Sequence, residues 1–127
     1  MKIRITEALS NEDTLLVGFH SPAGSGTGLW VGILPKIGDE LDVEFDLDEI
    51  FSWGKNLIPS PRKAPYIQVT KKVTQITAEI IHSGDDECAA LKFGESVILI
   101  ELDEPIPLKS GFIEVRATKV YLYPTNI

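Results

Sequence analysis

The sequence predicts an all-β fold, a single small β-barrel or sandwich of eight to nine short strands over residues 1–127. Three observations predict it. Apolar and polar residues alternate over short stretches, the period-two pattern of strands with one buried face. No stretch keeps a 3.6-residue apolar period for more than about two turns, as an amphipathic helix would. Turn-forming residues, among them 10 glycines and 8 prolines, interrupt the apolar runs frequently along the 127-residue chain, which is the punctuation of many short strands.

The elements follow in order. Residues 2–7 alternate with Ile3 and Ile5 on one face, and residues 10–13 form a polar turn. Residues 14–20 are apolar on both faces, as suits a central strand. The glycine-rich run SPAGSGTG at residues 21–28 is expected to be a flexible hairpin loop, followed by a strand at 29–34 that Pro35 ends. A Gly38–Asp39 turn leads into residues 41–48, where Leu41, Val43, Phe45 and Leu47 alternate with Asp42, Glu44, Asp46 and Asp48. One face of that strand enters a core and the other carries four carboxylates.

Residues 51–65, with Pro59, Pro61 and Pro65, read as an exposed loop. Residues 66–83 read as one long strand or two collinear ones. The apolar phase changes from Ile67, Val69 and Val73 to Ile76, Ala78 and Ile80, which suggests a bulge or bend. A hairpin at 83–87, strands at 88–93 and 97–102, a proline-bearing link at 104–111 and a last extended segment at 112–123 complete the chain. The expected core comprises Ile3, Ile5, Leu15, Val17, Phe19, Trp30, Leu41, Val43, Phe45, Leu47, Ile76, Ile80, Leu91, Phe93, Ile98, Ile100, Phe112, Val115 and Val120. The order within residues 73–123 resembles an OB-like barrel in the C-terminal half: a long bent strand, a hairpin, a third strand, a link and a final pair. It departs from that pattern at 103–111, which has no room for the helix such barrels usually carry.

Composition narrows the function classes. The single cysteine, Cys88, excludes an internal disulfide and hence a disulfide-stapled scaffold. The first ten residues alternate and contain no continuous apolar run of the signal-peptide kind, and the longest aliphatic run spans residues 97–100. A cytoplasmic protein with no membrane partner is the expectation. The formal net charge of −7 is segregated. Residues 39–51 carry seven acids and no base, whereas residues 52–72 carry five bases and no acid. The overall charge disfavours non-specific nucleic-acid binding.

Four motifs are candidates for chemistry. The acidic strand does not converge its oxygens as a calcium loop must, so it reads as a solvated face, a protected edge strand or a docking surface. Like charges in a row repel, and a basic protein partner offsets that cost. The contacts expected for such a partner are Asp42, Glu44, Asp46, Asp48 and Trp53. The basic block, Lys55, Arg62, Lys63, Lys71 and Lys72 with Tyr66 and Trp53, has the cation-and-ring composition of a single-stranded nucleic-acid groove. Its plainer reading is that these cations fold back onto the acidic strand. GSGTG leads into an apolar strand and not a helix, which argues against a phosphate loop.

His82 and Cys88 flank the 83–87 hairpin near Asp85, but no oxyanion hole or nucleophile motif accompanies them. Cys88 reads as a half-buried small hydrophobe. His20 and Ser21 have no acid at a triad spacing. No metal site, cofactor or enzyme activity is expected. The sequence points to a non-catalytic acidic protein-binding module, of the kind that neutralises a basic partner such as a nuclease toxin as an inhibitor or immunity protein does. The alternative is an OB-like single-stranded nucleic-acid-binding barrel using residues 53–72.

Overall fold

In a computed structural model, residues 1–82 and 87–125 are described, His82 by its backbone alone. Strands in chain order are β1 (Lys2–Asn11), β2 (Thr14–Ser21), β3 (Gly24–Trp30), β4 (Glu40–Leu47), β5 (Ile50–Phe51) and β6 (Leu57–Pro59). They continue as β7 (Tyr66–Thr70), β8 (Val73–His82), β9 (Cys88–Phe93), β10 (Ser96–Leu102), β11 (Phe112–Ala117) and β12 (Val120–Pro124). No helix occurs among the described residues, and none is long and apolar enough to cross a membrane.

Five strands close a barrel in the order β1-β2-β3-β12-β4, with β4 pairing back onto β1. The rest form a second, nearly closed sheet ordered β5-β10-β9-β8-β11-β6, with β7 also on β8. The all-β barrel expectation therefore holds, with twelve strands where eight to nine were expected. Two of the extra strands, β5 and β6, lie in or beside the proline-rich segment. The third arises because residues 112–123 divide at 118–119 into β11, which joins the second sheet, and β12, which joins the first. β11 and β12 do not pair with each other.

The segment at 51–65 is not uniformly an exposed loop. Phe51 and Leu57 are fully buried, and β6 sits at a sheet edge with Pro59 opposite Ile113, where a missing N–H is tolerated.

Residues 66–83 are corrected more sharply. The chain reverses at Lys71 and Lys72, both with positive φ (51° and 67°), and β7 pairs antiparallel with β8. A two-residue hairpin places each odd residue of β7 opposite an even residue of β8, as in Ile67 opposite Ile76. The apolar phase change is that reversal. Two lysines in left-handed conformations hide it, because such turns usually carry Asn or Gly.

Within SPAGSGTG the hairpin turn is confined to Pro22 and Ala23, and residues 24–28 belong to β3, so the expected loop is mostly strand. Gly24, Gly26 and Gly28 alternate along β3 on its inward side. A Cβ on Gly26 would lie 2.7 Å from Phe19 Cζ, and one on Gly28 3.0 Å from Leu122 Cγ. The glycines are there because neighbouring side chains occupy the space.

One hydrophobic core runs through both sheets. Phe45 of β4 joins them, with its ring edge-on to Phe19 of the barrel (centroids 5.9 Å apart) and to Phe93 of the second sheet (5.5 Å). Of the expected core, Leu15, Leu41 and Phe112 are only half-buried, and Phe51, Leu57, Ile67, Ile113 and Leu122 are added. Phe112 yields to Ile113 because the inward face of β11 carries Ile113, Val115 and Ala117.

Candidate acidic docking face

The alternation in β4 is realised residue by residue. Val43, Phe45 and Leu47 are buried, while Asp42, Glu44, Asp46 and Asp48 are exposed. β4 is not a free edge strand along its whole length, because its first residues ladder to one neighbour and its later ones to another. Residues 40–42 pair with β1, and residues 43–47 pair with β12.

The seven acids of the run divide by role. Asp39 accepts a hydrogen bond from the Lys36 backbone N–H at 2.9 Å and closes its own turn. Glu49 accepts from the backbone N–H groups of Thr118 (2.6 Å) and Lys119 (3.2 Å), and so fastens the crossover from β11 to β12. Glu40 lies opposite Arg4. For Asp42, Glu44, Asp46 and Asp48, no hydrogen bond or ion pair reaches the carboxylate from other described residues. Asp42 has Lys2 directly across the ladder, beyond salt-bridge distance. Glu44 and Asp46 instead face Tyr123 and Tyr121 of β12.

β10 lies along this face without a hydrogen-bonded ladder to β4. Asp42 and Glu44 border a groove with Glu95 and Val97, and Glu44 and Asp46 border the next with Val97 and Leu99. Beyond them β5 pairs in parallel with Glu101 and Leu102 of β10. β4 and β10 thus run side by side in the same direction, and the ladder with β10 is made only by β5, beyond the end of β4. At the near end the Met1 amino group donates to Val43 O (3.0 Å) and Ser96 Oγ (2.8 Å), tying β1, β4 and β10 together. The groove beside Glu44 and Asp46 has a volume of about 330 Å³ and is completed by Phe45 and Tyr123.

Trp53 is not part of this groove. It is half-buried against the core in the bend before β6, bridged to Leu57. Tyr123, Val97 and Leu99 take the place expected of it. The alternation in VYLYP puts both tyrosines of β12 on one face, which is a legible signal. Val97 and Leu99 lie in the aliphatic run VILI, whose two faces look alike in sequence.

The basic block does not fold back onto the acidic strand, because no ion pair joins the two among the described residues. Nor is the block one surface. Arg62 sits over the Tyr66 ring, 3.8 Å from its centroid, and covers one face that a base would need. Lys71 and Lys72 cap the β7–β8 hairpin, and Lys55 lies in the bend before β6. Along the second sheet, β8 and β11 lie between β7 and β6. Lys63 is exposed in the connection from β6 to β7.

Cys88 is exposed and not half-buried, since it begins β9 and the inward position falls on Ala89. Residues 83–86 of the expected 83–87 hairpin, Asp85 among them, and the His82 imidazole lie outside the described residues. His20 Nδ1 meets Ser25 Oγ at 3.0 Å, and the Ser21 hydroxyl is used in its own turn, donating to Gly24 O at 2.8 Å. Among the described residues no group of three or more His, Cys, Asp or Glu is placed to hold a metal ion.

No protein-family model matches this chain, and no curated protein or solved structure matches it.

Proposed function

We propose that this chain is a non-catalytic protein-binding module that presents the β4 face to a basic protein, in the manner of an inhibitor or immunity protein that neutralises a toxin such as a nuclease. One observation carries the reading: Asp42, Glu44, Asp46 and Asp48 are all exposed on one face, and no described cation bonds to them. Such a row raises the association rate with a basic surface and disfavours acidic competitors. The exposed side chains beside it, Val97, Leu99 and Tyr123, supply apolar area for slow dissociation. The exposed free thiol of Cys88 suits a reducing compartment, and we place the protein in the cytoplasm on that ground. The single-stranded nucleic-acid reading is weaker, because the cations it needs are dispersed and Arg62 occupies a face of Tyr66.

The test begins with capture from a nuclease-treated lysate, followed by stopped-flow association of the captured protein at two salt concentrations. Wild-type association should slow as salt rises. The pair Glu44→Lys with Asp46→Lys should slow it by at least about tenfold. Thermal unfolding should stay close to wild type, since both side chains are exposed. An on-rate equal in the two proteins refutes the proposal.

A further inference from the structure

The groove beside Glu44 and Asp46 combines three chemistries. The register of β12 against β4 sets Tyr123 directly opposite Glu44, on the outer face. The alternation of β10 turns Ile98 and Ile100 inward and leaves Val97 55% and Leu99 68% exposed. The groove therefore has carboxylates on one wall, aliphatic side chains on the other and an aromatic ring at one side. At about 330 Å³ it is at the small end of ligand sites, which run from about 300 to 1,000 Å³. That is room for one large side chain.

A cation seated in the groove meets apolar surface beside the carboxylates, which discriminates between the two basic side chains. A lysine ammonium is compact and strongly hydrated, so burying it against Val97 and Leu99 strips water it holds tightly. A guanidinium is planar and weakly hydrated. It can stack on Tyr123, lay its aliphatic stem on Leu99 and direct its fork at a carboxylate. We propose that the groove formed by Glu44, Asp46, Val97, Leu99 and Tyr123 seats a single arginine side chain of the basic partner, as the anchor of that interface. The proposal rests on the protein-binding reading above and specifies the chemistry at its centre.

The test uses the full chain, uniformly labelled with nitrogen-15, and three capped heptapeptides, Gly-Ser-Gly-X-Gly-Ser-Gly, with X as arginine, lysine or citrulline. The arginine peptide should shift the amide resonances of residues 44, 46, 97, 99 and 123. It should bind about three- to fivefold more tightly than the lysine peptide. Citrulline, which keeps the shape and loses the charge, should not bind. Leu99→Ser, at an exposed site, should erase the preference for arginine while leaving lysine binding near its wild-type value. The pair Glu44→Gln with Asp46→Asn should abolish both. Equal affinity for arginine and lysine, or an arginine preference that survives Leu99→Ser, overturns the anchor. In that event a charge-dependent on-rate with the captured protein still upholds the acidic docking face. Loss of that dependence overturns both.

Discussion

Replacing Phe45 with alanine tests whether the barrel and the second sheet unfold as one body. Phe45 is 5% exposed and touches an aromatic ring on each side, Phe19 at 5.9 Å and Phe93 at 5.5 Å. Truncating a core phenylalanine costs about 3–5 kcal/mol, of which each lost edge-on pair accounts for about 0.5–1.5 kcal/mol. With a urea slope of about 2 kcal/mol/M, a loss of about 4 kcal/mol lowers the unfolding midpoint by roughly 2 M. The two tryptophans make the assay specific. Trp30 is buried in β3 of the barrel, and Trp53 packs beside β6 of the second sheet. Trp30→Phe and Trp53→Phe therefore leave one fluorescent reporter in each half.

Because β4 belongs to the barrel while its Phe45 ring lies in the common core, both reporters should show the same lowered midpoint. A midpoint that falls for the Trp30 reporter and stays fixed for the Trp53 reporter refutes the shared core. A loss of about 4 kcal/mol is a large part of a typical domain's 5–15 kcal/mol. Phe45→Leu, at about 1–2 kcal/mol, keeps the comparison readable should the alanine variant unfold.

Two further outcomes follow from the backbone. Lys71→Asn with Lys72→Gly should raise stability by about 1 kcal/mol in urea unfolding, because both lysines hold left-handed conformations that an Asn-Gly turn adopts at lower cost; a fall in stability contradicts the hairpin. Gly26→Ala should destabilise by about 1–3 kcal/mol through the encounter with Phe19 and Ile67, while Thr27→Ala, on the outward side of the same strand, should change stability by less than about 0.5 kcal/mol. Equal effects at the two positions contradict the packing account of the glycines.

What the sequence disclosed depended on how different the two faces of a strand are. In β4 every inward residue is apolar and every outward one acidic, so both the strand and its orientation are plain from residues 40–47. In β10 both faces are aliphatic, so the strand is legible and the outward exposure of Val97 and Leu99 is not. β3 carries glycine where an inward apolar residue would mark it, because Phe19, Ile67 and Leu122 already fill that space. The information that makes it a strand resides in other parts of the chain. In the β7–β8 hairpin the phase change was visible, but a bulge and a two-residue reversal produce the same shift of parity. Only the pairing of Ile67 with Ile76 separates them. The candidate face was half legible for the same reason: its charged wall comes from one strand, and its apolar wall is assembled across sheets.

The position of the acidic row within the barrel bears on why it is there. Charges along an edge strand have a protective use, because they discourage pairing with another chain. In β4 residues 40–42 ladder to β1 and residues 43–47 to β12, and β10 lies along the side of residues 44–46 that has no ladder, which leaves little room for another chain to pair there. Among the described residues the four carboxylates make no bond that fastens the fold, a task done by Asp39 and Glu49 at the two ends of the run. Carboxylates two residues apart on a strand are about 7 Å from each other, and each such pair repels by about 0.6 kcal/mol in water, less at physiological salt. The row is therefore a small, persistent cost that no bond among the described residues offsets. A cation brought by a partner would relieve it at Glu44 and Asp46 most of all, because their ladder neighbours on β12 are tyrosines, whereas Asp42 already has Lys2 across from it.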